Sequence, residues 1–414
     1  MKTCKSGHLL ASALIMASAS VTYSSSANSA VTDALSEMIS NGKAGVTLRY
    51  RYETVEQDNA LKDADASTLL SRLTLTSGTV NGFTVLLEAD NVMTIGTDDY
   101  NSTMIGEQQF GKYSIVADPV GTEINQAWIK YAFSSSTSST LGRQRILHAG
   151  QRFVGGVGWR QNEQTYDAFT VNYADSTYTL DYSYLWRVNR IFDGSGTSVQ
   201  DQEFDSDSHI LLATAKALGG KFSGFVYALD FKEPYVNGGS AGLPSITYGI
   251  GYTGAYKNFS YDLTYARQSD YGDNPVSYDA NYVGIDTRLA VKPVTFTLGY
   301  ELLGSDDGVK GFVTPLATLH KFQGWADIFL ATPGDGIEDI YAGIGGSIGK
   351  VALGAFYHDF SSDEGSTDYG SEVDLVATYP INDNLNIQLK YADYSADDFA
   401  VDTEKLWFTV NLKF

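Results

Sequence analysis

Beyond Cys4 the 414-residue chain has no cysteine, and it carries only eight prolines and five histidines. After the first thirty residues no apolar run approaches the length of a membrane-spanning helix. The missing thiols exclude a disulfide scaffold and thiolate metal sites. The missing apolar runs exclude a helical membrane protein, because a helix needs roughly twenty consecutive apolar residues to cross a bilayer. Basic residues are scarce as well: 28 Lys and Arg face 49 Asp and Glu, a net charge of -21 that excludes a nucleic-acid binder. His148, His209, His320 and His358 sit in no nucleophile or metal-binding motif, so the chain is expected to be no enzyme, with no catalytic residue, cofactor or metal. The acidic stretches at Asp98-Asp99 and Ser305 to Gly308 lack the spacing of a calcium loop and read as solvated surface.

What the chain does have is 28 tyrosines, 20 phenylalanines and 41 glycines, a mixture rich in strands. Its opening, MKTCKSGHLLASALIMASASVTYSSSANSA, has two lysines, a short apolar core and a small-residue exit, the pattern of a secretory signal peptide. Cleavage after Ala27 gives a signal over 1–27, and cleavage after Ala30 is the alternative. The remainder, 28–414, shows no linker or composition step and is expected to be one domain. Loss of Lys2 and Lys5 takes the net charge from -21 to -23.

Period-two alternation recurs along the whole of that remainder. Val46, Leu48, Tyr50 and Tyr52 alternate with Thr47, Arg49, Arg51 and Glu53, and the same pattern runs from Phe83 to Ala89, Tyr178 to Trp186 and Leu406 to Phe414. About eighteen such segments of roughly ten residues can be marked, the length a tilted strand needs to cross a bilayer. Short connections alternate with long acidic ones, among them Glu53 to Ala66, Asn91 to Thr122 and Gly304 to Asp339. The expected fold is therefore all-β: a transmembrane antiparallel β-barrel of about 18 strands, with short periplasmic turns and long extracellular loops, in the outer membrane of a Gram-negative bacterium. Lipid cannot satisfy an open sheet edge, so the ring must close. Partners follow from that setting: outer-membrane lipid and lipopolysaccharide outside, and the barrel assembly machinery through the C-terminal strand WFTVNLKF, which ends on the aromatic Phe414.

The polar parity of these strands predicts a water-filled lumen. From Ile124 to Asn162 there is no acid, while Lys130, Arg143, Arg145, Arg152 and Arg160 all fall within that stretch. Charge on the lipid face is costly, so Arg143 and Arg145 are expected to point inward, along with Arg49, Arg51, Arg72, Lys130 and Arg187. Lys390 and Lys413, on the strands that close the ring, join them. Asp230, Asp262, Asp286 and Glu301, with Glu372 and Asp374, are expected on the opposite wall. A basic half-wall facing an acidic one has two readings, a transverse field without solute preference, or selection of anions by arginine forks. Arg152 and Arg160 lie in GQRFVGGVGWRQNEQ, a connection with Phe153, Val157 and Trp159 to bury. It either folds into the pore and narrows it or stays outside.

The stretches LGRQRI and GQRFVGGVGWRQNEQTYDAF, with TLLSRLTLTSG, GFTVLLEADNV and TPLATLHKFQGWAD, resemble the proteobacterial outer-membrane proteins that carry an alginate-export-type domain. That resemblance implies an eighteen-stranded barrel and an arginine-rich constriction for an anionic uronate polymer. It places that role on Arg143, Arg145, Arg152 and Arg160, with Arg49 and Arg72 as weaker matches. The family's polymer exporter has a long periplasmic loop across its inner mouth, and here every short-side turn is a few residues long. The function expected is accordingly passive diffusion of small anionic solutes such as acidic oligosaccharides. Export of an alginate-like polysaccharide and a non-conducting surface-structural or adhesion barrel are the alternatives.

Overall fold

A computed structural model describes residues 25–106, 109–194, 196–232 and 243–414. Most of the expected signal peptide lies outside the described residues. A helix, α1, spans Ser25–Ser40 and leads to the first strand.

Eighteen strands follow in one closed antiparallel sheet. They are β1 Lys43–Gln57, β2 Ala64–Thr76, β3 Phe83–Asp99, β4 Gly121–Ala132, β5 Thr137–Gln144 and β6 Thr165–Ala174. Next come β7 Tyr178–Asn189, β8 Glu203–Ala217, β9 Gly220–Leu229, β10 Ser245–Tyr256, β11 Phe259–Asp270 and β12 Asp279–Val291. The ring is completed by β13 Val294–Leu303, β14 Ile337–Ile348, β15 Val351–Ser361, β16 Asp368–Pro380, β17 Leu385–Ala396 and β18 Thr403–Lys413. Each strand pairs with its neighbours in sequence, and β1 pairs with β18 through Thr47 opposite Lys413 to Gln57 opposite Thr403. Val46 and Phe414 exchange two backbone hydrogen bonds, of 3.2 and 2.9 Å, at the end of that seam. No edge is left for lipid to meet.

Side-chain parity does the sorting. Leu73, Leu75, Val85, Leu87, Leu263, Leu298 and Leu389 are exposed on the outer surface, as apolar groups facing hydrocarbon should be. The inward parity carries the polar residues and, on β9 to β16, aromatic rings set against glycine. The rings of Phe225, Tyr341 and Phe356 occupy the space a Cβ would need at Gly249, Gly299 and Gly343 on the adjacent strands. Glycine at these positions lets a large inward ring lie flat along the wall.

Two bulges change where residues point. At β4 the pairing with β3 skips Asn125, so Asn125 turns into the lumen beside Gln126 and donates to Glu88 at 2.9 Å. At β7 the pairing with β6 skips Trp186, which reverses the parity of everything after it. The outer connections tie to one another too: Met104–Ile105 and Thr197–Ser198 form a small two-stranded sheet above the rim.

Candidate functional site

Two of the long outer connections, residues 145–164 between β5 and β6 and residues 304–336 between β13 and β14, do not stay outside. They fold into the lumen and pack on each other. Gly155 N–H donates to Leu316 O at 2.7 Å, Thr318 N–H donates to Gln151 O at 3.0 Å, and Val154 bridges Leu316. Trp159 stacks on His320 with ring centroids 4.0 Å apart. For 145–164 the inward course is the open alternative resolved. For 304–336 it corrects the expectation of an ordinary outer loop, and the cause is its apolar content: Phe312, Leu316, Ala317 and Ala326 are buried.

The first of these connections makes a circuit of the inner wall. His148 Nδ1 meets Tyr227 Oη at 3.2 Å on β9. Phe153 packs between Phe225 and Tyr282, at 4.8 and 5.0 Å between centroids. Arg152 Nε pairs with Glu301 on β13 and reaches Thr314 and Gln323, each at 3.1 Å. Arg160 then pairs with Glu53 on β1 at 2.9 Å and with Asp327 at 3.2 Å. Gln161 donates to Thr68 on β2 at 2.8 Å, and Glu163 accepts from Arg72 at 2.7 Å and from Arg145. Removing one partner from a buried ion pair costs about 3–5 kcal/mol, so each of these pairs fixes the connection in place.

Where the second connection meets the wall, three bases converge on one acid. Asp327 accepts from Arg160 at 3.2 Å, Lys405 at 3.1 Å and His320 Nδ1 at 2.7 Å. Burial holds the His320 imidazole well below its usual range, so it is neutral, and Asp327 stays ionised because His320, Lys405 and Arg160 outweigh its own burial. With Nδ1–H given to Asp327, His320 Nε2 is left to accept from Lys390 Nζ at 2.6 Å. Lys390 Nζ lies 3.6 Å from the ring centroid of Trp325 and 4.3 Å from that of Trp159.

The residues singled out from the sequence separate into three groups. Arg49, Arg72, Lys130 and Arg145 are inward and partly water-exposed. Arg51, Arg152 and Arg160 are inward but buried under the connections. Arg143 and Arg187 face outward, which corrects the lumenal expectation for both. Arg143 is paired across the sheet with Asp167, which in turn is opposite Arg187, and Leu141 and Phe169 on the same parity are lipid-facing. For Arg187 the cause is the bulge at Trp186. For Arg143 it is position: one residue from the outer end of β5, charge costs about 0–1 kcal/mol rather than the roughly 2–4 of the midplane, and Asp167 binds it at 2.8 Å.

The acidic half-wall is corrected in the same way. Asp262 and Asp286 are inward, but Asp286 pairs with Arg288 at 2.9 Å, and Glu301 is buried against Arg152. Asp230 is no wall residue: it stands one position beyond the end of β9, at the outer rim beside Gly272 and Pro244. Glu372 is turned into the packing and accepts the backbone N–H of Ala326 at 2.7 Å. The acids that balance the arginines are instead interleaved with them. Arg72 pairs with Asp90 at 2.5 Å and Glu163 at 2.7 Å, and Arg145 pairs with Glu88 and Glu163. Glu163 would be raised by its burial, but Arg72 and Arg145 overcome that and hold it below the usual carboxylate range. Arg49 donates to neutral oxygens only, Gln161 Oε1 at 2.9 Å, Gly158 O at 2.8 Å and Arg160 O. Sequence reasoning missed Glu88, Asp90, Glu163, Asp327 and Lys405 as constriction residues. The signals for them were weak: Glu163 is the first acid after the acid-free stretch, and Asp327 closes the TPLATLHKFQGWAD motif.

The inward connections separate two cavities. The outer one, about 620 Å³, has apolar walls that include Val55, Ile115, Ile191, Phe192 and Ile328, and its charged lining is Arg160, Arg190, Lys405 and Asp327. The inner one, about 310 Å³, opens toward the periplasmic half and is lined by Lys130, Arg145 and Asp181 with Trp128 and several amides and hydroxyls. Cations outnumber acids in both. Among the described residues no group of three His, Cys, Asp or Glu side chains is placed to hold a metal.

His148 offers a pH test of the packing. Burial pushes its pKa down from 6.5 to about 4, against a smaller opposing pull from Asp181. The unfolded or released connection takes up the proton near 6.5 and the packed one only near 4, so this anchor holds fully above 6.5 and weakens as pH falls between those values. Single-channel conductance is expected to stay flat from about pH 8 to pH 7 and to grow noisy toward pH 4, less so in His148→Asn. A conductance step between pH 7 and 8 at this residue would contradict a neutral, buried imidazole.

The alginate export family model matches residues 41–301. Solved structures match along most of the chain. Acinetobacter baumannii OccAB2 superposes with a TM-score of 0.70 at 17% identity, over 91% of this chain and 99% of its own. Acinetobacter baumannii OccAB4 gives 0.68 at 15% identity, over 90% and 98%. Pseudomonas aeruginosa OpdK, solved with vanillate, gives 0.68 at 13% identity, over 91% and 99%. No curated protein matches the sequence.

Proposed function

The chain belongs to the alginate export family of outer-membrane barrels, and on that premise we propose that it is a passive channel that prefers small anionic solutes. The observation that carries this reading is the lining of the two cavities: Arg160, Arg190 and Lys405 against Asp327 outside, Lys130 and Arg145 against Asp181 inside. In a chain of net charge -21, both linings carry more cations than acids. Basic side chains around a pore lower the barrier for anions and raise it for cations. The arginine pairs do not supply a free charge each. They hold the inward connections in place, and the preference rests on cations that border the cavities while acids paired with them, Glu53 and Glu88, are buried away from the lining.

The outer cavity combines apolar walls with a basic floor, so a carboxylate with an apolar body suits it better than a bare inorganic ion. OpdK, which shares the fold, was solved with vanillate, a molecule of that description. Polymer export is disfavoured by the two connections that cross the lumen, each held by buried pairs. The chain is not read as an enzyme. Residues 1–27, or 1–30 with the alternative site, are removed on export in this reading, and the β18 strand ending at Phe414 is the part offered to the assembly machinery. Outside, Arg143 and Arg187 face the lipopolysaccharide layer.

Swelling of proteoliposomes loaded with an impermeant polymer tests the reading. Benzoate-sized carboxylates are expected to enter several-fold faster than organic cations of equal size. Equal rates for both signs would overturn it.

A further inference from the structure

The chemistry of the lumen changes from one side of the inward connections to the other. The outer cavity is walled by aliphatic and aromatic side chains, whereas the inner one is walled by hydroxyls and amides set in pairs across neighbouring strands. Thr170 and Ser183 share a hydrogen bond of 2.8 Å between β6 and β7, and next to them Asn172 Nδ2 donates to Asp181. Gln126, Gln144 and Arg145 add to the polar wall, and the apolar patch is Ile146, Leu147 and the Trp128 indole, whose Nε1–H is directed at Gln126 Oε1 at 3.4 Å. Among the described residues no carboxylate pairs with Lys130, which borders the same space.

An aromatic face beside a row of planar amide and carboxylate groups suits a solute whose ring has one C–H face and a rim of hydroxyls. The face stacks on the indole while vicinal hydroxyls bond in pairs to Asn172, Asp181 and Lys130. A volume of about 310 Å³ stands at the small end of ligand pockets and suits one such ring rather than a chain of them. A large apolar body gains less there than in the outer cavity, because much of the wall is hydroxyl, amide and charged groups.

We propose that the inner cavity is a binding site for a monosaccharide, separate from the outer cavity, in which Trp128 is the stacking platform and Asn172, Asp181 and Lys130 read the hydroxyls. Recognition there depends on hydroxyl pattern and not on charge, so it goes beyond the anion preference of the pore. Such a site gives the channel two stations in series with different chemistry.

Saturation-transfer NMR on the detergent-solubilised barrel tests this without any current being measured. Glucose and galactose are the probes, with benzoate as the comparison ligand. Millimolar binding of at least one hexose is expected, weakened tenfold or more in Trp128→Ala and in Asn172→Ala and largely kept in Trp128→Phe. Heat-modifiable gel mobility identifies variants that have failed to fold. Absence of hexose binding in the wild type, or binding unchanged in both alanine variants, overturns the proposal. Loss of anion preference in bilayers with hexose binding intact would sink the channel reading and leave this site standing.

Discussion

Replacement of Asp327 by alanine is expected to raise single-channel conductance several-fold while the barrel stays folded. Three bases lean on this one buried carboxylate: Arg160 at 3.2 Å, Lys405 at 3.1 Å and His320 at 2.7 Å. Without it Lys405 is a buried cation with no acid, a loss of about 3–5 kcal/mol by analogy with other broken buried pairs. Arg160 keeps Glu53, at 2.9 Å, and Asp118, at 3.7 Å, and Arg152 keeps Glu301, so the first connection stays pinned while the second loses its tie to Lys405 on β18. The ring itself does not depend on Asp327, because its closure lies in the backbone ladder between β1 and β18. Heat-modifiable migration should therefore be unchanged while current through single channels rises and fluctuates. Asp327→Asn separates charge from shape: it keeps an acceptor for His320 and should give a smaller effect. Wild-type conductance in Asp327→Ala would mean that the 304–336 connection does not obstruct the pore.

Glu163→Gln is the second large effect, and its direction is opposite to that of a simple loss of structure. Glu163 neutralises Arg72 and Arg145 together, and both arginines have further acids to hold them, Asp90 and Glu88 for Arg72 and Glu88 for Arg145. The amide keeps the shape and can still accept a hydrogen bond, so the constriction should survive with one more uncompensated positive charge. At an effective dielectric constant of 20, a charge 4 Å from a passing ion is worth roughly 4 kcal/mol, and screening by water and salt reduces that to a several-fold change in permeability ratio. Anion preference should rise. A fall in preference, with gel mobility unchanged, would show that Arg72 and Arg145 do not face the permeating ion.

The barrel was legible because its signal is local. Alternation along one strand states which face meets lipid, and the short and long connections state which side is which, so the strand number and parity of β1, β2 and β3 follow from the sequence. Arg187 shows where that logic stops. Its parity is counted correctly from Asp181 and Ser183, yet one skipped residue at Trp186 turns it outward, and a bulge leaves no mark in the hydrophobic pattern. Arg143 shows a second limit, since height in the membrane decides what charge costs and strand ends are the least certain part of a sequence reading. Pairing partners were out of reach for a different reason. Arg72 and Glu163 are 91 positions apart and Arg152 and Glu301 are 149 apart, and nothing local couples them. Two of the five stretches that carry the family resemblance, GQRFVGGVGWRQNEQTYDAF and TPLATLHKFQGWAD, are packed on each other through Gly155 and Leu316 and through Trp159 and His320. The first stands out in the sequence for its arginines, but Arg152 and Arg160 serve mainly to pin it.

The central claim is that the accessible lumen of this acidic chain is net positive. Its most direct test is the zero-current potential of the wild-type channel in a planar bilayer under a tenfold potassium chloride gradient at neutral pH. The potential is expected to have the sign given by chloride passing more readily than potassium, reduced at high salt where screening shortens the reach of each charge. A potential of the opposite sign would contradict it.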